Sequence, residues 1–222
     1  MTLYSYCLRF DDGAAPNPFR GVCTLVICKP AIRRTAQEGD WVVGLGGVAS
    51  PIGNISGQVV YAMRVTKRMS MKAYDTYCQH SLPGKIPRLH SDKLEERVGD
   101  CIYDFSAVGR PCLRPSVHDE SNREVDLGGE NALLSEHFYY FGDKPRSLPA
   151  DLQPIIHQTQ GHKSHANAEY AERFAAWIDS LGLPPNQLQG APQLWKQIMD
   201  NPDCRATCST RDLDDDKDDK VC

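Results

Sequence analysis

The sequence predicts an α+β fold, a small mixed, partly open β-barrel with flanking helices and a helical C-terminal extension. Three observations predict it. Six short strand-like segments fill the first two thirds of the chain with few helices between them, which favours α+β over a regularly alternating parallel sheet. Helical periodicity is concentrated in the last third. No composition shift divides the 222 residues into two comparable halves, which points to one domain over residues 1–199 and an acidic, disordered tail over residues 200–222.

Leu3 to Arg9 reads as a strand because Tyr4, Tyr6 and Leu8 fall on one face and Ser5, Cys7 and Arg9 on the other. The following FDDGAAPNPFRG is loop chemistry, rich in Gly, Pro, Asp and Asn. Val22 to Cys28 is an apolar second strand, and a short helix follows, with Pro30 suited to its first turn and Gly39 to its exit. Trp41 to Leu45 and Gln58 to Thr66 alternate as the next two strands. Ser70 to Gln79 forms a helix capped by Ser70. Cys101 to Phe105 and Leu133 to Phe141 complete the strands, separated by a long polar loop that contains RPSVHDESNREVDLGGEN. Ala171, Phe174, Ala175 and Ile178 repeat at helical spacing, with Asn167 as the candidate cap, and Gln193 to Met199 adds a short helix.

The formal net charge of −4 argues against a protein that coats nucleic acid by bulk attraction. Much of that charge comes from RDLDDDKDDK near the C-terminus, so the remainder is near neutral and compatible with a site for one base or a short strand. The start MTLYSYCLRFDD has no basic stretch followed by an apolar run, and no window approaches the ~20 apolar residues of a membrane span. A cytoplasmic location without a membrane partner is therefore expected.

Nine cysteines are an odd number scattered through strand and helix segments, which favours reduced thiols over a disulfide framework. Cys7, Cys23, Cys28 and Cys101 sit among apolar neighbours and read as small hydrophobes. Cys78 with His80, Cys204 with Cys208, and the histidines of HQTQGHKSH do not make a four-ligand set, so neither a metal nor another cofactor is expected.

The stretches LYSYCLRFDDGAAPNPFRGVCTLVICKPAIRR, EGDWVVGLGG, VGDCIYDF, RPSVHDESNREVDLGGENALLSEHFYYFGD and IIHQTQGHKS resemble the second nucleotide modification associated domain family, over nearly all of Leu3 to Ser164. The resemblance implies a nucleic-acid-linked module that works beside other modification-system proteins. Its expected partner is a nucleic acid or nucleotide carrying a modified base. The strand, helix and Gly39-Asp40 exit, the strand bearing Trp41 and the segment GQVVYAMRV are also similar to the opening of PUA-like barrels that read RNA or modified bases.

Four groups of residues are the site candidates. In the first loop, Asp11, Asp12 and Asn17 offer hydrogen-bonding edges and Phe19 a stacking face, unless the loop is only a rigid connection. Lys29 and Arg33, beside Arg34, form a basic cluster suited to phosphate or to a solvated face. Trp41 either walls a base pocket, converging with the first loop, or fills the core. His162 and Lys163 are candidate phosphate contacts.

The loop His118 to Asn131 is the enzyme candidate, with His118 as base, Asp126 as carboxylate partner and Arg123 as cation. No nucleophile stands at a recognised spacing, since Ser135 lacks a GxSxG elbow and Cys112 lacks an activating neighbour. The sequence therefore favours a module that binds a modified base or nucleotide, with an enzyme acting through the His118 to Asn131 loop as the alternative.

Overall fold

The alternation at the N-terminus becomes strand β1 (Leu3–Leu8), which turns Tyr4, Tyr6 and Leu8 into one core and Leu3 into another. The structure, a computed structural model, describes residues 1–157 and 161–201, so the expected acidic tail and Cys204 with Cys208 lie outside the described residues. β1 pairs in parallel with β3 (Trp41–Gly46), which is antiparallel to β4 (Gln58–Arg64). β4 pairs with β9 (Phe138–Tyr140) and, at its start, with β10 (Arg146–Ser147), and β11 (Gln187–Leu188) closes the order in parallel with β9.

A second, antiparallel sheet has the order β2 (Cys23–Leu25), β8 (Asn131–Ser135), β5 (Lys67–Ser70). The two sheets share one core, in which Tyr6, Val42, Tyr61 and Phe138 of the large sheet meet Cys23, Leu25 and Leu133 of the small one. The far face of the large sheet packs Trp41, Val43 and Tyr139 against Phe174 and Ile178 of helix α5 (Ala171–Ser180). The far face of the small sheet packs Ala132 and Leu134 against Met71, Tyr74 and Cys78 of helix α2 (Met71–Ser81), whose cap is Ser70 accepting from Ala73 N at 3.2 Å.

None of these sheets closes, so the partly open PUA-like barrel is corrected to open sheets in a mixed α+β fold. The reason lies in two bends. The segment expected as one strand from Leu133 to Phe141 breaks at Ser135, whose Oγ lies 2.6 Å from Arg64 O and accepts from His137 N at 3.1 Å. Its halves β8 and β9 enter different sheets, and β4 and β5 divide in the same way. A strand pair that changes sheet at a bend builds a layered packing in place of a continuous wall.

The long polar loop is folded. It carries β7 (Cys112–Leu113), which pairs with β6 (Tyr103–Asp104) of the expected strand before it, then a 3-10 turn at Glu120–Asn122 and helix α4 (Arg123–Gly128). Asp119 starts it, accepting from Ser121 N at 2.9 Å, while Asn122 Oδ1 accepts from Asp119 N at 3.1 Å. Asn167 does not cap α5. It lies in a 3-10 turn, and its side-chain amide donates to Leu3 O at 3.0 Å and Ser5 Oγ at 2.9 Å. Two short helices, α3 (Leu94–Arg97) and α6 (Trp195–Asp200), are tied together by Arg97 donating to Ile198 O at 2.8 Å. Among the described residues no helix is long and apolar enough to cross a membrane.

Candidate active site

Beyond β2 the chain buries Val26 and Ile27 and then reverses through two consecutive left-handed residues, Cys28 (φ 57°) and Lys29 (φ 43°), before Pro30 opens helix α1 (Pro30–Thr35). Left-handed backbone in residues with a Cβ persists only where the surroundings over-determine it. Here they do so from both ends of the peptide. Cys28 N donates to Asp126 Oδ1 at 2.9 Å, and Cys28 O accepts from the Arg33 guanidinium at 3.0 Å. The result is a half-buried thiol projected from a rigid turn.

His118 faces that thiol. Its Nε2 lies 3.8 Å from Cys28 Sγ, and its Nδ1 lies 2.6 Å from Asp126 Oδ2. Tyr103 donates to the same carboxylate oxygen at 3.0 Å. Asp126 and His118 are both buried, so the carboxylate fixes which imidazole nitrogen carries the inner proton and leaves Nε2 to the sulfur. Burial alone lowers the pKa of His118, but the negative charges of Asp126 and Cys28 outweigh it and raise the pKa well above the ordinary histidine value. The arrangement therefore favours an imidazolium facing the Cys28 sulfur.

These three residues also bring one potential metal-ligand atom each within 4.8 Å of one another. Both Asp126 oxygens are already engaged, one by Cys28 N and one by His118 and Tyr103. Three ligand atoms fall short of the four of a structural metal centre, and the Sγ to Nε2 contact suits a proton relay.

Two carboxylates of the first loop are buried, and one of them, Asp12, is near enough to His118 for their charges to interact. Burial raises the pKa of Asp12, and the Ala14 N–H at 2.8 Å and the nearby charge of His118 only partly offset it. Burial pushes Asp11 up to about 7, although it accepts from Tyr140 OH at 2.5 Å. Tyr6 is buried in the core beneath the turn, with its hydroxyl 2.8 Å from that of Tyr61 and the Lys29 ammonium 5.0 Å above its ring.

The family model for nucleotide modification associated domain 2 matches residues 1–199. The chain belongs to that family. No curated protein and no solved structure matches it.

In this nucleotide modification associated domain 2 chain, the His118 loop thus meets Cys28, a residue whose apolar neighbours suggest packing. Other candidates serve the scaffold. Arg33 is fully buried, its guanidinium donating to Cys28 O, Asn131 O at 2.9 Å and Asp126 O at 2.7 Å, and burial lowers its pKa to about 10. It positions the turn and is not open to a phosphate. Asn17 is buried, donating to Val98 O and accepting from the buried Lys85 ammonium at 2.7 Å, and Phe19 packs against the core behind it.

Arg123 is held by Glu120 at 2.5 Å and by Pro111 O at 2.7 Å. Trp41, 1 % exposed, packs edge-on to Phe174 at 5.7 Å on the face of the large sheet away from Tyr140 and Asp11, so the two do not converge. Lys163 pairs its backbone with Ser5 and points its ammonium at Pro154 O. His162 is buried against Tyr4, ring to ring at 5.8 Å. A signal for Cys28 does exist in the sequence, because an apolar strand, a cysteine and a proline-initiated helix make the strand-turn-helix setting in which nucleophiles are presented.

Proposed function

We propose that this nucleotide modification associated domain 2 protein is a cysteine-nucleophile enzyme acting on a nucleotide-linked substrate within a modification system. The observation that carries the reading is the buried chain of contacts from Cys28 Sγ through His118 to Asp126. A thiolate held against an imidazolium, with a carboxylate orienting the ring, is the arrangement of nucleophilic acyl transfer.

Cys28 Sγ adds to the carbonyl carbon of an ester, thioester or amide. The leaving alcohol, thiol or amine departs with the proton of His118 Nε2, and a thioester remains on Cys28. Water or an acceptor amine then gives its proton to Nε2 and attacks the thioester, which releases the acyl group and restores the thiolate. Asp12, buried beside His118, is placed to accept from the N–H edge of a base or an amine. The binding-only reading loses Trp41, which is packed into a core, while Phe19 is partly buried against another.

Incubation with a panel of acyl donors and nucleotides, read by intact mass, tests the proposal. An acyl adduct on Cys28 that is absent in Cys28→Ser is expected. Nucleoside or nucleotide binding with no adduct from any donor would contradict the enzyme reading and favour a module that only recognises a modified base.

A further inference from the structure

A cleft of about 540 Å³ opens between helix α1 and the segment that follows Gly161, lined by Tyr4, Arg34, Thr35, His162, Ser164 and His165 among others. That volume is within the range of small-ligand sites. Among the described lining residues none is acidic, whereas guanidinium, imidazole and hydroxyl groups are all present. Arg34 Nη1 donates to Gly128 O at 2.7 Å, which fixes the planar fork before any ligand arrives. His162 is likewise fixed by its packing on Tyr4.

The cleft and the thiol turn share two elements, strand β1 and helix α1. Tyr4 lines it and Tyr6 lies under Lys29, next in chain to Cys28. These two tyrosines share a face of β1 and stand two residues apart, about 7 Å along a strand. On the opposite wall, Ala31 of α1 lines the cleft three residues beyond Cys28.

We infer that this cleft is a phosphate subsite, and that the substrate is a mononucleotide whose phosphate lies by Arg34 while its reacting group reaches Cys28. A phosphate monoester matches a fixed guanidinium fork with imidazole and hydroxyl donors around it. A long strand is disfavoured, because the net charge of −4 offers no extended cationic track and Arg33, the middle member of the helix cluster, is buried. The inference names the substrate class of the Cys28 site and rests on the enzyme reading only for where the reacting group sits.

Calorimetric titration of the full chain with nucleosides, their 5′-monophosphates, inorganic phosphate and short oligonucleotides tests it. Monophosphates are expected to bind at least about tenfold more tightly than the matching nucleosides, with inorganic phosphate competing. Arg34→Gln should abolish that preference, and so should Thr35→Glu, which places a carboxylate at an exposed rim position. Both variants should keep the His118-dependent reactivity of Cys28.

Equal affinity for nucleoside and monophosphate, or a preference untouched by both substitutions, would overturn the subsite. So would oligonucleotides that bind more tightly than monophosphates regardless of Arg34. A parent chain that shows no phosphate preference but keeps His118-dependent thiol reactivity sinks the subsite alone, whereas ordinary thiol reactivity in a parent chain with phosphate preference sinks only the enzyme reading.

Discussion

His118 Nδ1 and Asp126 Oδ2 lie 2.6 Å apart in a buried setting, and the same carboxylate holds the backbone N–H of Cys28 through its other oxygen. One side chain thus sets both the tautomer of the base and the position of the nucleophile. Asp126→Asn keeps the shape but removes the charge that raises the pKa of His118. Turnover of any acyl donor should fall by about 10²–10⁴-fold with the fold retained, measured by steady-state kinetics beside circular dichroism. Unchanged turnover would show that His118 does not work through Asp126.

Arg33 is predicted to matter for the scaffold first. Its guanidinium satisfies the carbonyls of Cys28, Asp126 and Asn131 in the interior, so Arg33→Ala should cost about 3–5 kcal/mol in denaturant unfolding. Gly129→Ala should weaken the same junction, because a Cβ there would collide with that guanidinium. A neutral outcome at both positions would remove Arg33 from its positioning role.

The Asp11 carboxyl gives a pH signature. Its folded-state pKa of about 7 exceeds its ordinary 3.8, so the folded state holds the proton more tightly. The stability from this group is complete below the ordinary value and is lost as pH rises through that window, on the order of 4 kcal/mol in total. Asp11→Asn should flatten stability between about pH 4 and 7, which urea unfolding across that range would read. An unaltered slope would mean that Asp11 does not hold its proton there.

Trp41 separates core from site. Trp41→Ala should destabilise by about 3–5 kcal/mol through the cavity left against Phe174. Trp41→Phe should remain folded and bind nucleotides as the parent chain does. Selective loss of nucleotide binding in the folded Trp41→Phe variant would restore it as a pocket wall.

Local rules were legible where local chemistry decides the outcome. The alternation of Leu3 to Leu8 and the Ser70 cap follow from neighbours a few residues away, and each forms as read. The break at Ser135 was not legible, because an apolar run continues through it and the bend is set by a carbonyl at Arg64, 71 residues distant. Arg33 read as surface charge for the same reason, since two of its partners lie more than 90 residues away.

At the site, His118 and Asp126 were visible as a base and a carboxylate eight residues apart on one polar segment. Cys28 was hidden by the apolar Val26 and Ile27 before it. Only the left-handed turn, which two long-range hydrogen bonds impose, takes its thiol out of the core and sets it against His118.

The proposed chemistry needs Cys28 to be a thiolate paired with His118. The most direct measurement is the rate of iodoacetamide alkylation of Cys28 against pH, read peptide by peptide, with the exposed Cys112 as reference in the same molecule. Cys28 should react at a pH well below the ~8.5 where an ordinary thiol titrates, and this advantage should disappear in His118→Gln while Cys112 is unaffected. A Cys28 profile that follows Cys112, or that is the same in His118→Gln, would contradict it.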